Sequence, residues 1–172
     1  MTTDYLLHRE VEHVLALLTP SNRLVMRVCL HTGLRVGDVL ALKTAQLAGQ
    51  FWITEQKTGK RRRVGLPQKL LWDLLCQAGR VWVFESRNDE NRHRSRQSVW
   101  KDVKRAAEAL RLPQNVAPHS FRKVYAVDLL AKYGSVPRVQ RALNHSSRDV
   151  TLIYAMADRL LEAKYPKKPH QA

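Results

Sequence analysis

The chain has 172 residues, 44% of them hydrophobic and 26% charged, which suits one folded soluble domain with a core of its own. The charge balance is unusual: 30 Lys and Arg against 15 Asp and Glu leave +15, which points to a polyanionic partner, nucleic acid ahead of an anionic membrane. No leader peptide or long uncharged apolar run is visible. Cys29 and Cys76, in apolar helical settings without CxxC spacing, read as small core residues in a reduced cytoplasm.

In chain order, "LLHREVEHVLALL" (6–18) predicts an amphipathic helix stopped near Pro20. Ser21 then reads as the N-cap of a second helix, "NRLVMRVCLHT", that stops at Gly33. A short helix over "RVGDVLAL" follows. "FWITEQ" and "RRRVGL" flank "KTGK" as two strands of a hairpin turning at Thr58-Gly59. Pro67 opens a helix that Gly79 ends, "VWVF" (81–84) reads as a third short strand, and 85–95 form a polar loop. Helix returns over 96–110. Pro118 starts a helix through "HSFRKVYAVDLLAKY", apolar nearly all round and therefore expected to be buried, which stops at Gly134. Three short helical stretches remain, around 136–143, 148–156 and 159–164. The fold class is thus mainly α with a small three-stranded antiparallel β-sheet.

Several polar groups stand out. In "HSFR", His119 and Arg122 share one side of the first turns of their helix, where backbone N–H groups favour anions. By itself the spacing fits a capping histidine and a surface arginine equally well. In "TGLRVGDVLAL", Arg35 begins a helix after the Gly33 stop, with Asp38 one turn along to pair with it; a guanidinium fixed in this way suits bidentate capture of a phosphate, or forms an ordinary surface ion pair. Lys57 lies at the edge of the hairpin turn. Tyr154 in "TLIY" borders the apolar stripe of Val150, Ile153 and Ala157, and on that stretch alone reads as core. No zinc signature, HExxH or Gly-rich phosphate loop is present, so neither a metal nor another cofactor is expected.

Taken together and in this order, the pieces resemble the tyrosine recombinase (phage integrase) family. They are Arg35 in "TGLRVGD", Lys57 in "QKTGKRRRV", His119 and Arg122 in "HSFR", His145 in "LNHSS", and Tyr154 nine positions after His145. The resemblance covers nearly the whole chain and replaces the core reading of Tyr154 with a catalytic one. It implies a site-specific enzyme for DNA integration, excision, inversion or resolution. Such an enzyme cleaves and rejoins double-stranded DNA through a 3′-phosphotyrosine, without metal or ATP. Tyr154 would be the nucleophile, Arg35, Arg122 and His145 would hold the non-bridging oxygens, His119 would serve as base or orienting group, Lys57 would be the acid for the leaving 5′-oxygen, and Asp38 would hold Arg35. Backbone phosphates would fall to the basic stretches: Lys60, Arg61, Arg62 and Arg63 on the hairpin, and Arg92, Arg94 and Arg96 ahead of a helix with Lys101, Lys104 and Arg105.

The match departs from the family pattern where Asn144 replaces a glycine before His145 and where Met156 stands in the place of a further histidine. Residues 1–172 are expected to be a single catalytic domain, without the N-terminal domain that closes a clamp round DNA. The basic tail 158–172 is expected to pack onto a neighbouring protomer in a DNA-bound tetramer. The setting would be the cytoplasm of a bacterium, or that of a phage or mobile-element host. Two alternatives share the fold: topoisomerase-like relaxation by the same chemistry, and a DNA-binding protein without turnover.

Overall fold

The computed structural model describes residues 4–143; the helical stretches expected around 148–156 and 159–164 lie outside the described residues. Helix α1 spans His8–Leu17, and its first amides are met from within, since the Glu10 carboxylate accepts the Leu7 N–H at 2.7 Å. Helix α2 spans Pro20–Thr32. Pro20 is its first residue and Thr19 its N-cap, so the expectation of a cap at Ser21 is corrected: a proline that ends one helix also suits the opening of the next, where its missing N–H costs nothing. Gly33 closes α2 at φ 65°, its N–H donating to the Cys29 carbonyl at 2.8 Å. Helix α3, Val36–Leu40, starts three residues later with Arg35 as N-cap.

A 3₁₀ turn at Thr44–Gln46 leads to strands β1 (Gln50–Thr54) and β2 (Arg61–Gly65), paired antiparallel with Phe51 opposite Val64 and Ile53 opposite Arg62. Among the described residues the sheet has two strands, which corrects the expected three. "VWVF" makes one bridge from Trp82 to Lys43 and then turns at Val83 and Phe84, too soon to build a ladder. Helix α4 covers Gln68–Gln77. Helix α5, Arg96–Ala109, is capped by Ser95, whose hydroxyl accepts the Ser98 N–H at 3.1 Å. Helices α6 (Pro118–Tyr133) and α7 (Val136–Leu143) follow, with Gly134 at φ 59° between them. No helix among the described residues is long and apolar enough to cross a membrane.

The described residues form two compact units, 4–125 and 126–143. The first is organised around α2, which packs against α1, α3, α4 and α5. Val25, Met26, Leu40, Phe84, Val103 and Phe121 are among its fully buried side chains. One polar knot ties α5 to the α1–α2 junction. Asp102 accepts hydrogen bonds from the Thr19 N–H and hydroxyl, the Asn22 amide and Arg105. Cys29 is buried as expected, but Cys76 is exposed: α4 buries only Leu70 and Leu74, and its outer face carries Trp72, Leu75 and Cys76.

Candidate active site

The site begins at the C-terminal end of α2, where helix carbonyls have no intrahelical partner and the dipole favours cations. Two arginines use those carbonyls. Arg62 donates through Nη2 to the Thr32 carbonyl, and Arg122 donates through Nη1 to the Gly33 carbonyl. The left-handed turn at Gly33 then directs the chain to Arg35, whose side chain is 25% exposed.

Opposite these arginines stands Glu55, the residue after β1. Phe51 and Ile53 face the core, and the two-residue period carries Glu55 to the same side, where it is fully buried. Its Oε2 accepts from Arg35 Nη1 at 2.5 Å and from the Thr58 hydroxyl at 3.2 Å, and its Oε1 lies 3.7 Å from Arg62 Nε. A buried carboxylate is tolerated here because cations and a hydroxyl replace its lost water.

The electrostatics record how closely these groups are gathered. Burial pushes the Arg122 guanidinium down from 12.5 to about 10; Arg35 and Arg62 lower it further, and Glu55 and Cys29 partly offset the effect. Arg62 is also lowered, first by burial, with Glu55, Tyr125 and Asp38 opposing and Arg35 adding to it. Three guanidiniums and one carboxylate thus share a small, poorly hydrated volume, which favours a further anion.

Each residue singled out in the sequence can now be located. Arg35 and Arg122 are brought together. Lys57 is exposed on the hairpin turn. That turn is fastened to Glu55 by Thr58 and by the Gly59 N–H, which donates to the Glu55 carbonyl at 2.8 Å. His119 lies on the first turn of α6, three residues before Arg122; it is exposed where Arg122 is 2% exposed. Asp38 does not pair with Arg35. Its Oδ1 accepts the Gln56 N–H at 2.9 Å, because Glu55 already holds Arg35. His145 and Tyr154 lie outside the described residues.

The expected phosphate contacts do not behave alike. Strand alternation points Arg61 and Arg63 outward, on the face that carries the half-exposed Trp52, and Arg61 lies 5.4 Å from the Trp52 ring centroid. Arg62 turns inward to Glu55. Lys60, Arg96 and Lys101 are exposed. Lys104 is held by the Asn115 side chain at 2.6 Å, and Arg105 by Asp102 and the Leu17 carbonyl. Arg94 is half-buried, and burial lowers its affinity for a proton. No group of three metal-ligating side chains occurs among the described residues.

The sequence reading missed Glu55 and the inward role of Arg62. Strand alternation held the signal: a glutamate in phase with Phe51 and Ile53 must be buried, and a buried glutamate needs a cation.

Comparison with known proteins gives a consistent result. A family model described as "Phage integrase family" matches residues 4–159. The tyrosine recombinase XerD of Rhizobium meliloti is 33% identical over 134 residues, which cover 72% of this chain and 43% of that protein. The crystal structure of XerA recombinase superposes with a TM-score of 0.74 at 19% identity, covering 96% of this chain and 64% of that one. A lambda integrase tetramer bound to a Holliday junction gives a TM-score of 0.70 at 23% identity, covering 89% of this chain and 48% of that one. The chain spans about half the length of the curated relatives it matches.

Proposed function

The chain belongs to the phage integrase family, and on that premise we propose that it cleaves and rejoins DNA strands at a specific site through a covalent bond between Tyr154 and a 3′-phosphate. The observation that carries the reading is the gathering of Arg35 and Arg122 in one pocket at the end of α2, with Glu55 anchoring the first and the Gly33 carbonyl the second. Two forked cations there suit the equatorial oxygens of a pentacoordinate phosphorus, where negative charge grows.

The chemistry follows from the groups at hand. The Tyr154 oxygen attacks phosphorus as its proton passes to His119; the P–O5′ bond breaks; and Lys57, on its exposed turn, delivers a proton to the departing 5′-oxygen. His145 adds a hydrogen bond to the non-bridging oxygens. A phenol with an ordinary pKa of about 10 is mostly protonated at neutral pH, so activation by the site is required. Attack by a 5′-hydroxyl, from the same strand or a partner, reverses each transfer. The bond energy is kept in the phosphotyrosine, and the arginines supply the charge stabilisation.

Lys60, Arg61, Arg63, Arg96 and Lys101, all exposed, are proposed to contact duplex phosphates. Residues 1–172 would act as one catalytic domain, with the basic tail 158–172 reaching a neighbouring protomer in a tetramer on DNA. That the related lambda integrase is seen as a tetramer on a Holliday junction supports this assembly.

Nicked suicide duplexes test the proposal. A protein-linked DNA band on a denaturing gel, lost in Tyr154→Phe, is expected; its absence on substrates derived from the host attachment region would overturn the reading. Formation of Holliday junctions from two duplexes separates strand exchange from simple relaxation.

A further inference from the structure

We propose that Glu55 is the positioning residue of this site: its buried carboxylate aims Arg35, ties the lysine-bearing turn to it, and offsets enough positive charge for three guanidiniums to cluster. The purpose of the arrangement rests on the strand-transfer reading above; the arrangement itself does not.

The geometry gives each part of the role. Glu55 Oε2 engages Nη1 of Arg35, which leaves the Nε–Nη2 edge of the fork for a pair of phosphate oxygens. The same oxygen accepts from Thr58, the residue after Lys57, so the direction of Arg35 and the position of the turn depend on one anchor. Arg62, at 3.7 Å from Oε1, is held on its other side by the Thr32 carbonyl and braces Glu55 in place. Asp38 is not available for the task because it is occupied by the Gln56 amide.

Charge gives a second, independent argument. The groups facing Arg122 are Arg35, Glu55, Arg62 and Cys29, and those facing Arg62 include Tyr125 and Asp38. Of these neighbours, Glu55 opposes the loss of the proton from both Arg122 and Arg62. Three cations against one anion keep the cluster attractive to a phosphate, whereas without Glu55 their mutual repulsion has no central counterweight.

Side-chain NMR of the full chain with isotope-labelled arginine reads the proposal without DNA. In the wild type, Arg35 should show hindered rotation about its Nε–Cζ bond, and the Cζ signal of Arg122 should titrate near pH 10. In Glu55→Gln, the hindrance at Arg35 should vanish and the Arg122 midpoint should move to lower pH. Adding Arg62→Gln to that variant removes a repelling neighbour and should return the midpoint toward its wild-type position, a reversal that loss of packing alone would not produce. Glu55→Asp, which keeps the charge and shortens the reach, should leave the midpoint in place while loosening Arg35; it and the double variant carry the test if Glu55→Gln does not fold. Unchanged Arg35 dynamics and an unchanged Arg122 midpoint in the folded variants would overturn the proposal. A missing Tyr154 adduct would leave these signals as they are, so the two readings fail separately.

Discussion

Arg122 donates to the main-chain carbonyl of Gly33, the residue whose left-handed conformation ends α2 and turns the chain toward Arg35. One turn therefore sets the positions of both arginines of the pocket. At φ 65° a β-carbon is strained, so Gly33→Ala should cost about 1 kcal/mol or more, a fall in Tm of roughly 2–4 °C for a chain of this size. Adduct formation by Gly33→Ala at a temperature where the variant is fully folded should drop about tenfold or more, because small misplacements of positioning groups are costly. Melting curves alongside adduct yields check both figures.

The lowered Arg122 guanidinium predicts an alkaline limit. Its charge is present below about pH 10 and is lost as the pH rises through that value, even as Tyr154 becomes easier to ionise. Adduct formation should therefore level off and fall above about pH 10, and a rate that keeps climbing to pH 11 would contradict the role. Arg122→Ala should reduce cleavage by about 100-fold or more with duplex binding largely kept.

Asp102 predicts the acid side of stability. Burial by itself would raise its pKa, but bonds from Arg105, Asn22 and Thr19 outweigh burial and bring it from 3.8 to about 2. A depressed carboxylate stabilises the fold above its unfolded value, and that contribution disappears as the pH falls from about 4 toward 2. Acid unfolding followed by circular dichroism should show a loss over that window, and Asp102→Asn should be less stable at pH 7 with a flatter acid limb.

The hairpin arginines should separate in a salt titration. Arg61→Ala and Arg63→Ala should each weaken duplex binding and lower the slope of log K against log salt by about 0.9 if each meets one phosphate. Arg62→Ala should change that slope little and instead lower stability and cleavage, because its guanidinium is turned to Glu55 and the Thr32 carbonyl. Fluorescence anisotropy at several salt concentrations measures the difference.

Much of this was legible in the sequence because it is local. Pro20, Gly33, Pro118 and Gly134 punctuate helices by their own backbone chemistry, and the ordered motifs holding Arg35, His119 and Arg122 carry the family pattern. Long-range partners were not legible. Asp38 stands one turn from Arg35, so local spacing predicts that pair; the partner is instead Glu55, twenty residues on, which only the hairpin brings near. The third strand failed for a similar reason, since "VWVF" has the right residues but only one bridge at Lys43 to extend it. Cys76 was placed in the core by its apolar neighbours, although α4 turns just one narrow face inward.

The arginine triplet at 61–63 also protects the alignment of the hairpin. Were β2 to slide by a single position against β1, Arg62 would face water, while two cations would enter an interior that holds one carboxylate and Val64 would be cast outside. The misaligned pairing is thus rejected by electrostatics as well as by hydrophobicity, and a segment with three like charges in a row has one acceptable way to zip.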